Sequence, residues 1–252
     1  MLVAGQETSA IALFWLIVHL TLGSAAGGAA AEPLARCVAE VDALAASKGG
    51  ERFTLDDVAS LRHLEACVLE SLRVHPPAYL VGRCANADTT LPGGADVPRG
   101  ATVLPCAYLA HRSGLWSAPL SYEPRRWLRG GAPDVPCVLP EEPADDTPIF
   151  TSALRAGAEG GLRGGALYIP FGGGPRNCIG SAFAVCEVVV LAAELLRSYA
   201  ISWPGYRSDA PVDGASGRLS VDARFPVRAS AGLTLRPSSD RVGLALLRVV
   251  RR

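Results

Sequence analysis

The sequence predicts a mainly helical fold with minor β-sheets. Three observations carry that expectation. Apolar residues recur at helical spacing in several long stretches, whereas residues 79–103 break into short strand-like pieces punctuated by Pro92-Gly93-Gly94 and Pro98-Arg99-Gly100. A chain of 252 residues with 49% hydrophobic and 19% charged side chains is long and apolar enough for a sizeable core. Mean hydropathy of +0.24 excludes low-hydrophobicity disorder for most of it. The 24 basic and 24 acidic residues cancel, so charge gives no reason to expect nucleic acid as a partner.

The apolar run Ile11–Leu22, followed by Gly23-Ser24-Ala25-Ala26, has the outline of a signal peptide. Gln6-Glu7-Thr8-Ser9 stands where a basic segment should precede it, and His19 and Thr21 interrupt a membrane span, so a buried core helix is expected. Pro33–Ala46 has helical periodicity and stops at Lys48-Gly49-Gly50. Thr54 reads as an N-cap with Asp56 and Asp57 in the first turn, opening a helix that runs to Val74 and halts at His75-Pro76-Pro77. Residues 79–103 read as a small hairpin-rich sheet. Residues 130–165, rich in Gly, Pro and acids and without a clear period, read as a flexible insertion. The apolar pattern of Ile179–Tyr199 demands a buried helix, and a further small sheet is expected over Ala200–Pro237. For the tail, Arg241–Arg252, a frayed solvated helix is preferred over a membrane-touching one.

Seven cysteines, at 37, 67, 84, 106, 137, 178 and 186, contain no C-x-x-C pair, and a reduced intracellular setting fits them best. Most read as small buried hydrophobes. The exception is Cys178, in Phe171-Gly172-Gly173-Gly174-Pro175-Arg176-Asn177-Cys178-Ile179-Gly180, a glycine-rich loop at the mouth of a helix. A phosphate-binding loop needs Gly-Lys-Ser/Thr, and this one has no lysine. The dinucleotide fingerprint fails because Asn177 occupies its third glycine position. A nucleophilic cysteine lacks an evident base, since His19, His63, His75 and His111 stand in no catalytic motif. A single thiolate as metal ligand remains. Glycines that admit a large flat ligand, an arginine for its carboxylates and a thiolate at a helix N-terminus suit a haem iron.

Phe171-x-x-Gly174-x-Arg176-x-Cys178-x-Gly180 resembles the haem-binding signature of the cytochrome P-450 haem-thiolate monooxygenases. Three further motifs follow the family's order. Ala4-Gly5-Gln6-Glu7-Thr8-Ser9 resembles the motif of its oxygen-activating helix, Glu70-Ser71-Leu72-Arg73 its E-x-x-R motif, and Pro124-Arg125-Arg126-Trp127 its P-E-R-F segment, with Arg125 in place of glutamate. The resemblance implies the C-terminal part of the P-450 fold, a haem-binding region over residues 1–252 that starts in the oxygen-activating helix. It implies Cys178 as the axial ligand of a haem b iron, with Phe171, Gly174, Arg176, Gly180 and Arg83 around the haem; Arg83 rests on spacing alone. Glu7 and Thr8 are implied in proton delivery. Glu70, Arg73 and Arg126 are implied to form a buried structural triad; a surface pair worth a few tenths of a kcal/mol is the alternative for Glu70 and Arg73.

The activity so implied is insertion of one atom of O2 into a small apolar organic substrate of lipid, fatty-acid or carotenoid type. Electrons derived from NAD(P)H would arrive through a reductase or ferredoxin. The setting would be intracellular, with endoplasmic reticulum or plastid membranes as candidate sites for the full-length protein. Because the match covers only the C-terminal half of the family's pattern, a truncated, catalytically inactive haem-fold fragment is the alternative expectation. A secreted or anchored non-enzymatic binding module is the third.

Overall fold

In a computed structural model of the chain, the described residues are 2–140, 148–159, 161–203, 212–213, 216, 218–221, 227, 229–231, 234–237 and 248–252. Helix α1, Leu2–Ala26, is apolar on every side over its second half, and a helix of that kind must be enclosed. It packs on three later helices, with Leu16 and Leu20 in the main core and Trp15, Val18 and Leu22 in a second. By length and composition α1 could cross a membrane, but its buried side chains make it a core helix of this fold. The polar residues of its second half are absorbed internally: Thr21 donates to the Ile17 carbonyl at 2.6 Å, and His19 sits 3.1 Å from the Ser71 hydroxyl and 2.9 Å from His75 Nδ1. Gly23 is required by a close approach, since a Cβ there would lie 2.4 Å from the Ala30 carbonyl oxygen.

Helix α2, Glu32–Ser47, begins with Pro33 in its first turn and buries Cys37 and Val41. The single helix expected over 54–74 is two elements, a 3-10 turn over Leu55–Ser60 and helix α3, Arg62–Val74, broken at Leu61 (φ −108°, ψ 46°). Asp57 caps the turn, accepting from Thr54 N at 2.7 Å and from Lys48 Nζ at 2.8 Å. The cap of α3 comes from another helix. Glu40 of α2 accepts from His63 N at 2.8 Å and Leu64 N at 3.0 Å, which lets α3 start without a local capping residue. From His63 to Val74 every residue of α3 is buried, making it the central element.

The hairpin region contains β1 (Arg83–Cys84) paired antiparallel with β4 (Thr102–Val103), and β2 (Thr89–Thr90) paired with β3 (Asp96–Val97). A short helix α4 spans Ala107–Ala110. The flexible insertion expected over 130–165 is corrected by helix α5, Ile149–Ala158, whose Ile149, Phe150 and Ala153 enter the main core beside Cys137, Val138 and Leu139. Burial of these apolar residues ties the segment down; residues 141–147 and 160 lie outside the described residues. Helix α6, Ser181–Ser198, packs on α1, α2 and α3. Strand β5, Tyr199–Ser202, pairs antiparallel with β8, Arg248–Arg251, and β6, Ala229–Ala231, pairs with β7, Leu235–Pro237. The frayed tail helix is therefore corrected over 248–251: Arg248-Val249-Val250-Arg251 forms a strand because an open sheet edge is available. Residues 241–247 lie outside the described residues. Among the cysteines, Cys37, Cys67 and Cys137 are buried, whereas Cys84 is exposed and Cys106 and Cys186 are half-buried.

Three histidines are buried and neutral. Burial and nearby Arg112 hold His19 down to about 3, burial and the Arg73 charge hold His111 to about 3, and burial beside His19 puts His75 well below its ordinary value. Between those values and about 6.5 only the unfolded chain binds these protons, so folding loses ground as pH falls. Burial raises Glu65 to about 7 and also raises Glu40, which opposes the trend but is outnumbered. Urea denaturation is expected to show stability falling by on the order of 1 kcal/mol per pH unit between about pH 6 and 4.5; a stability that is flat or rises over that range would contradict this reading.

Candidate functional site: the cysteine loop and the buried triad behind it

Phe171 lies half-buried against the main core, and the loop after it turns on two glycines in the left-handed region, Gly172 (φ 78°) and Gly174 (φ 69°). A 3-10 turn over Gly174–Arg176 follows, with Asn177 N donating to the Gly174 carbonyl at 3.0 Å. The loop is closed by Cys178 N, which donates to the Phe171 carbonyl at 3.0 Å. Gly180 then caps α6 (φ −92°, ψ 11°), and its carbonyl accepts from Ala184 N at 2.8 Å. This geometry leaves the Cys178 thiol exposed one turn before a long helix, while its backbone is held.

The surroundings of the thiol are unusual for a solvent-facing loop. Ile179 is 93% exposed and Phe183 57% exposed, so apolar surface is presented beside the sulfur. Arg176 is exposed in the same loop. A Cβ added at Gly172 would lie 3.9 Å from Val81 and 4.0 Å from Arg83 Nη2, so the strand carrying Arg83 runs against the loop. Arg83 itself donates to the Gly82 carbonyl at 2.9 Å. One available thiol, exposed apolar side chains and two arginines form a donor set that fits a flat apolar macrocycle with carboxylate arms and a thiophilic iron.

Behind the loop, the structure brings Glu70, Arg73 and Arg126 together with no exposure of any of the three side chains. Spacing of i,i+3 on α3 places Arg73 against Glu70 as a fork, with Nε donating to Oε2 and Nη2 to Oε1, both at 2.9 Å. Arg126 Nε donates to Oε1 at 3.0 Å, Trp127 Nε1 to Oε2 at 3.1 Å and Glu123 N to Oε1 at 2.9 Å. Burial alone would raise this carboxyl, but the charges of Arg126 and Arg73 bring it down to about 2. The remaining guanidinium donors are spent on carbonyls of one loop. Arg73 reaches those of His111, Pro119 and Ser121, and Arg126 those of Ser117 and Ala118. Ala118, at φ 45°, is held in the left-handed region while its carbonyl accepts from Arg126. The Trp116 ring lies 5.3 Å from the Arg73 guanidinium and 5.9 Å from that of Arg126.

His111 joins the triad to the loop. Its Nε2 must accept, because Ile169 N donates to it at 2.8 Å, so its Nδ1 carries the hydrogen and donates to the Arg73 carbonyl at 3.1 Å. Tyr168 donates its hydroxyl to the Leu69 carbonyl at 2.8 Å, and its ring lies tilted against that of Trp127, with centroids 4.7 Å apart. Gly157 of α5 lets Tyr168 in, since a Cβ there would lie 2.5 Å from the tyrosine Cβ. Two residues beyond Ile169 the cysteine loop starts. Sequence reasoning missed His111 and Tyr168, because no local pattern marks contacts made across 38 to 99 residues, and Gly157, because nothing around it in the sequence marks the close approach of Tyr168. It also missed a second ionic cluster. Glu123 accepts from Arg125 Nε at 3.1 Å and from Arg218 Nε, and Arg218 Nη1 donates to Asp134 at 2.7 Å. The arginine found where the P-E-R-F pattern has glutamate, Arg125, thus has its own partner.

Glu7 and Thr8 sit near the start of α1. Glu7 is exposed and accepts from the Thr234 hydroxyl at 2.9 Å, and the Thr8 hydroxyl donates to the Gly5 carbonyl at 3.4 Å. Replacing Glu70 with glutamine leaves two guanidiniums buried without a counter-charge, and the expected loss is about 3–5 kcal/mol in chemical denaturation. Glu7→Gln, at an exposed position, is expected to stay within about 0.5 kcal/mol. Equal effects of the two substitutions would contradict the triad's structural weight.

A model of the cytochrome P450 family matches residues 1–220. The chain is 34% identical over 195 residues to "Cytochrome P450 4F6" of Rattus norvegicus and 33% identical over the same length to "Leukotriene-B4 omega-hydroxylase 3" of Mus musculus. In each case the alignment takes 77% of this chain and 30% of the relative, so the chain spans about a third of the length of the curated relatives it matches. Among solved structures, a cytochrome P450 (CYP102L1) superposes with a TM-score of 0.66 at 26% identity, covering 100% of this chain and 44% of that one. With the mainly helical architecture, the cysteine loop and this match over most of its length, the chain belongs to the cytochrome P450 family.

Proposed function

We propose that the chain is the haem-thiolate part of a monooxygenase, and that Cys178 is the axial ligand. The observation that carries this reading is the exposed Cys178 thiol on a loop whose backbone is fixed by the Cys178–Phe171 hydrogen bond, beside exposed Ile179 and Phe183. Arg83 and Arg176 would hold the haem carboxylates as guanidinium forks, and Gly174 and Gly180 would allow the backbone close to the ring. Phe171 would shield the sulfur from water, which tunes the potential of a thiolate-bound iron. Haem b, when bound, supplies reductive activation of O2, with one oxygen atom going to the substrate and the other to water.

This chain's own contribution is to hold and hydrate the site selectively. The Glu7 carboxylate would collect protons from solvent, which its exposure permits, and the Thr8 Oγ1 would pass a proton inward by releasing the Gly5 carbonyl it now holds. Glu70, Arg73 and Arg126 act on structure and touch no reacting atom. An apolar substrate of lipid type is supported by the omega-hydroxylase named among the relatives. The electrons would come from NAD(P)H through a reductase or ferredoxin, docked on the Cys178 side, and the setting would be intracellular and membrane-associated.

The test is optical. The chain supplied with haem, reduced and exposed to carbon monoxide is expected to give the red-shifted Soret band of a thiolate-ligated haem, and Cys178→Ser to lose it. Arg83→Ala and Arg176→Ala are each expected to weaken haem retention by roughly 10-fold while leaving helix content unchanged. A folded chain whose carbon monoxide spectrum is the same with and without Cys178 would overturn the assignment of the ligand.

A further inference from the structure

Four histidines are described, and three have both ring nitrogens in hydrogen-bonding arrangements. His19 meets Ser71 and His75, His75 meets His19 and Arg112, and His111 meets Arg73 and Ile169. His63 is the exception. It is only 7% exposed, neither ring nitrogen is in good hydrogen-bonding geometry, and the side chain that bears most on it is the Cys67 thiol. An imidazole buried in that way carries an uncompensated desolvation cost unless something else occupies its lone pair.

Two cysteines bring their sulfurs close to its ring. His63 and Cys67 are one turn apart on α3 and so lie on one face of it, and Cys37 projects from α2, which packs alongside. The two sulfurs are 3.6 Å apart, and all three ligand atoms lie within 4.8 Å of one another. A disulfide would need about 2.05 Å, so the thiols are reduced. Two thiolates bound at about 2.3 Å to one tetrahedral centre would stand about 3.8 Å apart, close to the separation found.

We infer that Cys37, His63 and Cys67 form a zinc site that clips α2 to α3, with the fourth position left to a small ligand. The donor set selects the metal: thiolate and imidazole are poor partners for magnesium or calcium and good ones for zinc. Charge selects among thiophilic ions. Two thiolates and a neutral imidazole balance Zn2+ to zero, the value a buried site tolerates, whereas copper(I) would leave a net negative charge there. Glu40, whose carboxylate accepts from His63 N, fixes the backbone of the imidazole ligand. The site is separate from Cys178, which is exposed on the loop before α6.

X-ray absorption on the purified chain loaded with one equivalent of zinc and passed over a chelating resin tests this without any substitution. The expected result is about one retained zinc per chain with two sulfur neighbours at about 2.3 Å. In cobalt-substituted protein the thiolate-to-cobalt absorption band should disappear in Cys37→Ala and in Cys67→Ala, with retained metal falling at least about 10-fold. A zinc shell made only of oxygen and nitrogen, retention of copper(I) but not zinc, or metal that survives both substitutions and is lost with Cys178→Ser would each overturn the assignment.

Discussion

A carboxylate with no access to water has to be surrounded by donors, and that of Glu70 is met by five: two from Arg73, one from Arg126, the indole of Trp127 and the amide of Glu123. Two of these partners are cations, so the cluster is net positive, and it is tolerated because the remaining guanidinium hydrogens are given to the carbonyls of residues 111–121. That exchange does two jobs with the same atoms. It solvates a buried charge cluster with carbonyl dipoles, and it folds a loop that has no regular structure of its own.

The cysteine loop depends on this arrangement through short, identifiable links. The Arg73 carbonyl sets the tautomer of His111, His111 then accepts from Ile169, and Tyr168 is anchored to the carbonyl of Leu69, the residue beside Glu70. Helix α5 enters the same construction, because Gly157 is the gap that Tyr168 fills. The thiol is thus exposed and chemically available while the segment leading to it is fixed to the most deeply buried helix. A rigid base under an accessible ligand is what a metal-bound cofactor requires, since ligand geometry is set by the groups behind it.

Legibility in the sequence followed the range of the interactions. Helix α1 announces itself as a continuous apolar run, α2 and α6 through apolar periodicity, and the Glu70–Arg73 fork through i,i+3 spacing. The break between the Leu55–Ser60 turn and α3 is not visible, because the cap comes from Glu40 on a different helix. Helix α5 was hidden by the glycines and acids around it, although Ile149, Phe150 and Ala153 supply the apolar face that seats it. The strand at Arg248–Arg251 exists only because β5 offers an edge to pair with. His63 shows the same limit: its neighbours Cys37 and Cys67 form no motif in the chain, and only the packing of α2 on α3 makes them a group.

Amide hydrogen exchange over residues 168–178, compared between the native chain and Glu70→Gln under conditions where both remain helical, tests the central claim that the buried triad holds the cysteine loop in place. The account predicts that the amides of Ile169 and Cys178 lose protection by at least about 10-fold in the variant, while those in the middle of α6 change little. Unchanged protection of the loop would show that the thiol is positioned without the triad and would contradict the account.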